Sequence, residues 1–201
     1  MKIRTQPQLI TEWCKNQTVL DIGGLGNKDG APHLLAIEHA WLDNATRVIV
    51  DCQEGANVRI DLDKTNLSAT GTKADIVWIA HALPHLERPL HVLRDIKAVC
   101  ETLIVVDGNA HSPVFRRMAD QQRKRKGTFG HMYAWTMGDM ECLLHRAGWR
   151  VVDRAWQCGG WWSLKGAASN ILAHVWPKMF AYGYALRCVQ SPTETRTPYA
   201  R

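Results

Sequence analysis

Asp21-Ile22-Gly23-Gly24-Leu25-Gly26 sets a run of glycines directly after a short apolar stretch that ends in a carboxylate. Glycine carries no Cβ, so such a turn can bend tightly and let a ligand come close to the peptide groups. A glycine turn is not specific by itself, because an ordinary strand-to-helix connection uses the same residues. Asp51 closes a second apolar run about 30 residues later. A carboxylate there can accept hydrogen bonds from both hydroxyls of a ribose, a geometry that suits adenosine-type ligands; the plain alternative is a surface acid capping the next turn. Each feature strengthens the other.

Other chemistry-bearing residues are more scattered. The chain has nine histidines without H-E-x-x-H or similar spacing, so a structural metal is not expected. Its six cysteines, Cys14, Cys52, Cys100, Cys142, Cys158 and Cys188, form no C-x-x-C pair and lie in apolar or strand-like contexts. They are expected to be reduced thiols acting as small core hydrophobes. A net charge of +6 gathers at Arg116-Arg117, Arg123-Lys124-Arg125-Lys126 and the C-terminal region. That run could meet phosphate or form a solvated helix face. Trp135, Tyr133, Trp161 and Trp162 could wall a pocket for sugars or planar groups, or pack the domain edge. Segment 161–182 could dock on a membrane surface or cover an edge of the sheet.

These residues need a scaffold, and the hydrophobic pattern supplies one. Strands are expected at 18–22, 47–51, 57–61, 75–80, 101–106, 150–155 and 183–189. TVLDI, RVIVD, ADIVWIA and TLIVVD are nearly continuous apolar runs ending at an acid or a turn, as parallel strands buried on both faces require. Helical spacing appears in residues 7–15, His33 to Leu42 and Leu90 to Val99. A later helix is expected from the N-cap Thr136 to the C′ residue Gly148. Strand and helix alternate, which predicts a doubly wound α/β sheet with its ligand crevice at the carboxyl ends of the strands, beside the first. At 201 residues the chain suits one domain, 1–190, followed by a polar tail at 191–201 expected to be disordered. No signal peptide or membrane span is legible, so a cytoplasmic protein is expected.

VLDIGGLG, VIVD, RIDLD and ADIVWIAHALPHLERPLHVLRDI together resemble the class I S-adenosylmethionine-dependent methyltransferases, in particular small methyltransferase-domain proteins acting on small molecules and glycan precursors. The late Leu143-Leu144-His145-Arg146-Ala147-Gly148-Trp149 unit is similar too, and the likeness covers residues 18–155. It implies a Rossmann-like doubly wound sheet of seven strands, mostly parallel with an antiparallel last strand. It also implies S-adenosyl-L-methionine as cofactor. On that pattern Asp21, Gly23, Gly24 and Gly26 form the cofactor turn, and Asp51 holds the ribose. Asp61 faces the adenine amino group with Leu62 beside the ring, and Ala80, His81 and His85 line the wall below the sulfonium. Leu25 and Asn27 stand where the family has its second and third glycines.

Methyl transfer to a hydroxyl needs a base, and a histidine of near-neutral pKa suits that role. His81, His111 and His131 fall near the expected mouth of the site. His131 ranks first, because glycan-type relatives tend to have a histidine just before the late helix; His81 ranks second, and a structural role stands beside catalysis for each. The reading is a methyltransferase acting on an O or N nucleophile of a small-molecule or glycan-type acceptor, which the basic run would allow to be phosphorylated. Two others stay open. One is an RNA methyltransferase using the basic loop 116–126, though it lacks an N-P-P-Y-type motif. The other is a binding module that keeps the fold without turnover. A homodimer is also left open.

Overall fold

The computed structural model describes residues 6–25, 40–113, 115–117, 120, 134–157, 176, 181 and 183–192. Within them the chain runs α1 (Gln6–Cys14), β1 (Thr18–Ile22), β2 (Thr46–Asp51), β3 (Val58–Arg59), β4 (Ile76–Ala80), α2 (Pro89–Asp95), β5 (Thr102–Gly108), α3 (Met137–Arg146), β6 (Trp149–Gln157) and β7 (Gly183–Gln190). All seven strands join one sheet in the order β3-β2-β1-β4-β5-β7-β6. Strands β1 to β5 pair in parallel. The last strand, β7, enters between β5 and β6 and is antiparallel to both.

Residues alternate between the faces of the sheet with period two, and both faces are covered. On one face Leu20, Ile22, Val77, Ile79, Leu103 and Val105 pack with Val92 and Leu93 of α2 and with Met140 and Leu144 of α3. On the other, Val19, Ile76, Trp78, Ile104 and Val106 pack with Ile10 and Cys14 of α1 and with Trp41 and Leu42. Burial on both faces is the reason these strands read as unbroken apolar runs. The indole of Trp149, fully buried, donates to the carbonyl of Leu93 at 2.8 Å and ties the start of β6 to α2.

Several expected elements differ in extent. The third strand shortens to two residues, while the side chain of Asn57 accepts from the Ile49 amide at 2.8 Å and occupies the place of further pairing. The helix expected over Leu90 to Val99 is α2 followed by a tight turn at Ile96–Ala98. Residues 62–74 contribute only the short turn Leu67–Thr70. Cys14, Cys100 and Cys188 are buried core thiols, as expected, and burial pushes each up to about 12. Cys52 and Cys142 are exposed, which corrects their reading as core hydrophobes: one follows the end of β2, and the other faces away from the sheet on α3. Most of the helix expected over His33 to Leu42, and all of Cys158 and of segment 123–126, lie outside the described residues. Among the described residues no helix is long and apolar enough to cross a membrane.

Helix α3 begins as the sequence predicts. The Thr136 hydroxyl accepts from the Asp139 amide at 3.1 Å, and the Asp139 carboxylate accepts from the Thr136 amide at 3.1 Å, closing a capping box. Gly148, at φ +86°, sits just beyond the helix in the left-handed conformation glycine tolerates best. Hydrogen bonds from the hydroxyl and the amide of Thr136 hold the Asp139 carboxyl below its ordinary range. A carboxyl depressed in the folded state stabilises above its unfolded pKa, and that contribution disappears as pH falls through the folded value. Thr136→Ala is therefore expected to lower stability by about 1 kcal/mol at pH 7. In urea unfolding the difference between variant and wild type should shrink as pH falls below the ordinary aspartate range.

Candidate functional site

The strand order reverses at β1: from it the chain goes outward to β2 and β3, then returns to β4 on the other side. Connections that leave in opposite directions open a crevice at the carboxyl ends of these strands. Gly23 leaves β1 there, its amide donating to the Val50 carbonyl at 2.8 Å. Its φ of +76° favours glycine, and a Cβ at this position would stand 2.9 Å from the Cβ of Ala82, on the turn after β4. The two turns thus touch across the switch point.

Gly24 is glycine for a different reason. A Cβ there would lie 2.5 Å from Oδ2 of Asp21. The Asp21 carboxylate, only 2% exposed, is held by Arg47 of β2, whose Nε donates to Oδ2 at 2.6 Å. Nη2 of the same guanidinium donates to the Gly24 carbonyl at 3.1 Å. Arg47 therefore clamps the acid that ends β1 and the turn that follows it. Nothing in the sequence pattern marks this residue, which reads as the polar start of an apolar strand.

Asp51, buried at the end of β2, points the same way. Its Oδ2 accepts from the Leu25 amide at 3.3 Å and its Oδ1 from the Gln53 amide at 3.1 Å. It caps two turns, and the carboxylate keeps acceptor capacity that vicinal hydroxyls could use. The donor and acceptor set at this position thus fits a ribose. Asp61 lies farther out, accepting from the Asp63 amide at 3.1 Å and pairing with Lys64 at 2.8 Å. The bond from Lys64 is the main reason its carboxyl is held below the ordinary range. Leu62 beside it is buried.

At the exit of β4, Ala80 is buried and His81 adopts φ +55°, an uncommon conformation for a residue with a Cβ. The His81 amide donates to the Val106 carbonyl at 2.9 Å, extending the β4–β5 ladder by one residue. Its Nδ1 lies 3.5 Å from Oδ1 of Asp107, and the ring is 27% exposed against 3% for the Asp107 side chain. Sequence pattern alone does not single out Asp107, although the run TLIVVD ends in it. His85 closes a short helical turn at Leu83–His85 and is exposed.

More polar groups gather at the carboxyl end of β5. Tyr184 of β7 stands opposite Asp107 in the strand register. Burial pushes its phenol well above the ordinary range, and the charges of Asp107 and Asp139 add to the shift. Asp139 in turn feels the charge of His111, an exposed residue on the turn after β5. The Ala110 amide donates to the Trp135 carbonyl at 3.1 Å, drawing the start of α3 to this end of the sheet. The structure so brings together Asp21, Gly23, Gly24, Asp51, Ala80 and His81, with Asp61, Leu62 and His85 on adjoining turns. Gly26, His131, Tyr133, Trp161 and Trp162 lie outside the described residues, as do the rest of segment 161–182 apart from Trp176 and Ala181 and tail residues 193–201. Among the described residues no group of three or more His, Cys, Asp or Glu is placed to hold a metal.

No family model and no curated protein sequence matches the chain. Solved structures do. The chain superposes on an S-adenosylmethionine-dependent methyltransferase of Archaeoglobus fulgidus with a TM-score of 0.56 at 15% identity, covering 94% of this chain and 96% of that one. For an S-adenosylmethionine-dependent methyltransferase of Mesorhizobium loti the TM-score is 0.57 at 14% identity, covering 92% and 95%. A 1,6-didemethyltoxoflavin-N1-methyltransferase of Burkholderia thailandensis, solved with bound 1,6-didemethyltoxoflavin and S-adenosylhomocysteine, gives a TM-score of 0.54 at 13% identity, covering 92% and 78%. The chain has the Rossmann-like class I methyltransferase fold.

Removing the clamp tests the geometry directly. Arg47→Met takes the guanidinium away from the buried Asp21 carboxylate, and stability should fall by about 1–3 kcal/mol in urea unfolding. Unchanged stability would show that water replaces the guanidinium without loss.

Proposed function

We propose that the protein is an S-adenosyl-L-methionine-dependent methyltransferase acting on an O or N nucleophile of a small-molecule or glycan-type acceptor. One observation carries this reading. The Asp51 carboxylate, oriented by the Leu25 and Gln53 amides, stands beside the Gly23–Gly24 turn at the switch point of a methyltransferase fold. Asp51 would hold the ribose hydroxyls. Leu62 would cover one side of the adenine, with Asp61 toward its amino group. The turn from Asp21 through Gly26 would carry the methionine part, and Ala80, His81 and His85 would form the wall beneath the methyl donor.

When bound, the cofactor supplies a methyl group on a positively charged sulfur, reactive without further activation. What remains for the chain's own residues is to align the acceptor with the methyl group, keep water out, and take a proton from the nucleophile. Alignment is supported by preorganisation, since Arg47 fixes the turn and Asp51 is already oriented by two backbone amides. The sequence offers His131 and His81 for the proton, and the described geometry favours His81, which stands beside a buried carboxylate. We further propose a cytoplasmic protein of one domain spanning 1–190.

Asp51→Ala is expected to weaken S-adenosylhomocysteine binding by about tenfold or more, the loss of a charge-assisted pair of hydrogen bonds. Isothermal calorimetry measures it, and an unchanged affinity would remove Asp51 from the ribose site. His131→Ala should leave that affinity intact. A drop in affinity as large as that of Asp51→Ala would move His131 into the cofactor pocket.

A further inference from the structure

The exit of β4 and the carboxyl end of β5 hold a pair whose chemistry exceeds what cofactor binding needs. Asp107 is buried, and its Oδ1 accepts from the Gly108 amide at 2.7 Å while lying 3.5 Å from Nδ1 of His81. Its Oδ2 is buried with no hydrogen-bond partner among the described residues, and so is the hydroxyl of Tyr184 opposite. A carboxylate in such a place is expensive unless a positive charge can form next to it. Imidazole can supply that charge by taking a proton. His81 is also held at φ +55°, a strained conformation for a residue with a Cβ. Strained residues cluster at functional sites, and this one stands beside a buried acid.

We propose that His81 is the catalytic residue that accepts the acceptor's proton and that Asp107 is its positioning residue, selecting acceptors whose nucleophile bears a proton at neutral pH: a hydroxyl or an ammonium group. The proposal rests on the methyltransferase reading of this site. Asp107 holds the proton of the neutral ring on Nδ1, which leaves the lone pair on Nε2. For a hydroxyl, the oxygen lone pair forms the new bond to the methyl carbon as the carbon–sulfur bond breaks. The pair of that bond stays on sulfur, and the hydroxyl proton passes to Nε2. For an ammonium group, the proton passes to Nε2 first and the freed nitrogen lone pair makes the bond. Either way the imidazolium that results faces the Asp107 carboxylate, and the proton later leaves to solvent through the partly exposed ring. Among the described residues, the titratable groups near the pair include Tyr184 on β7, Asp139 on α3, His111 after β5 and His85 on the turn after β4. Burial and the charges of Asp107 and Asp139 keep Tyr184 protonated at neutral pH.

The test uses the ligand-free full chain and two-dimensional nitrogen–proton NMR of the histidine rings, with the His81 signals assigned by their loss in His81→Gln. Wild-type protein should show His81 as the Nδ1–H tautomer above its pKa. Asp107→Asn should lower that pKa by about one unit, because the opposite charge that favours imidazolium is gone. Asp139→Asn, one element farther away, should move it less. S-adenosylhomocysteine should bind wild type and Asp107→Asn within about threefold of each other, a difference of under 1 kcal/mol. An Nε2–H tautomer in the wild type, or a pKa that ignores Asp107→Asn, overturns the pair. Should Asp107→Asn unfold, the wild-type tautomer alone decides. Failure of every form to bind S-adenosylhomocysteine, with the tautomer and the pKa shift intact, sinks the methyltransferase reading and leaves the pair standing.

Discussion

The Asp21 carboxylate lies near the end of the inner strand β1 almost entirely out of water, and a charge so placed must be matched where it stands. Arg47 meets it from the neighbouring parallel strand and reaches past it to the Gly24 carbonyl. That one guanidinium joins the end of β1, the start of β2 and the turn between β1 and the crevice. Everything proposed for the site presupposes that this turn is rigid. The clamp holds the Gly24 carbonyl one residue before the Leu25 amide that meets Asp51, while Gly23 is held by its own bond to the Val50 carbonyl.

The same clamp explains the glycines in a way that their spacing does not suggest. The sequence invites the idea that glycine is needed so that a ligand can come close. In the folded chain Gly23 is required by its own backbone angle and by Ala82, and Gly24 by the Asp21–Arg47 pair that fills the space a side chain would take. The protein's own packing thus specifies both residues. The ligand gains a turn already built, which is how a crevice at a switch point can be preorganised without a dedicated loop.

Much of the scaffold is legible in the sequence because burial leaves a direct trace. Strands covered on both faces must be apolar throughout, so TVLDI, RVIVD, DIVWIA and TLIVVD mark β1, β2, β4 and β5 to within a residue or two. The capping box at Thr136 and the left-handed Gly148 bound α3 for equally local reasons. The alternation around β3 resembles a full strand, whereas an edge position and the Asn57 side chain restrict it to two residues. Long-range pairings leave weaker traces. Arg47 and Asp107 each lie within or at the end of an apolar run, and only the sheet order shows that one reaches Asp21 and the other His81. The acid closing TLIVVD is visible and could be set beside the histidine after β4 once β4 and β5 are known to be parallel neighbours.

The central claim is that an adenosine-type methyl donor lies over the carboxyl ends of β1 and β2, and amide hydrogen exchange tests it most directly. On adding S-adenosylhomocysteine, the segment from Gly23 to Leu25 and the segment from Asp51 to Gln53 should slow together, while the amino ends of the same strands stay as they were. Exchange that does not change in those two segments, or protection confined to the opposite end of the sheet, would contradict the account.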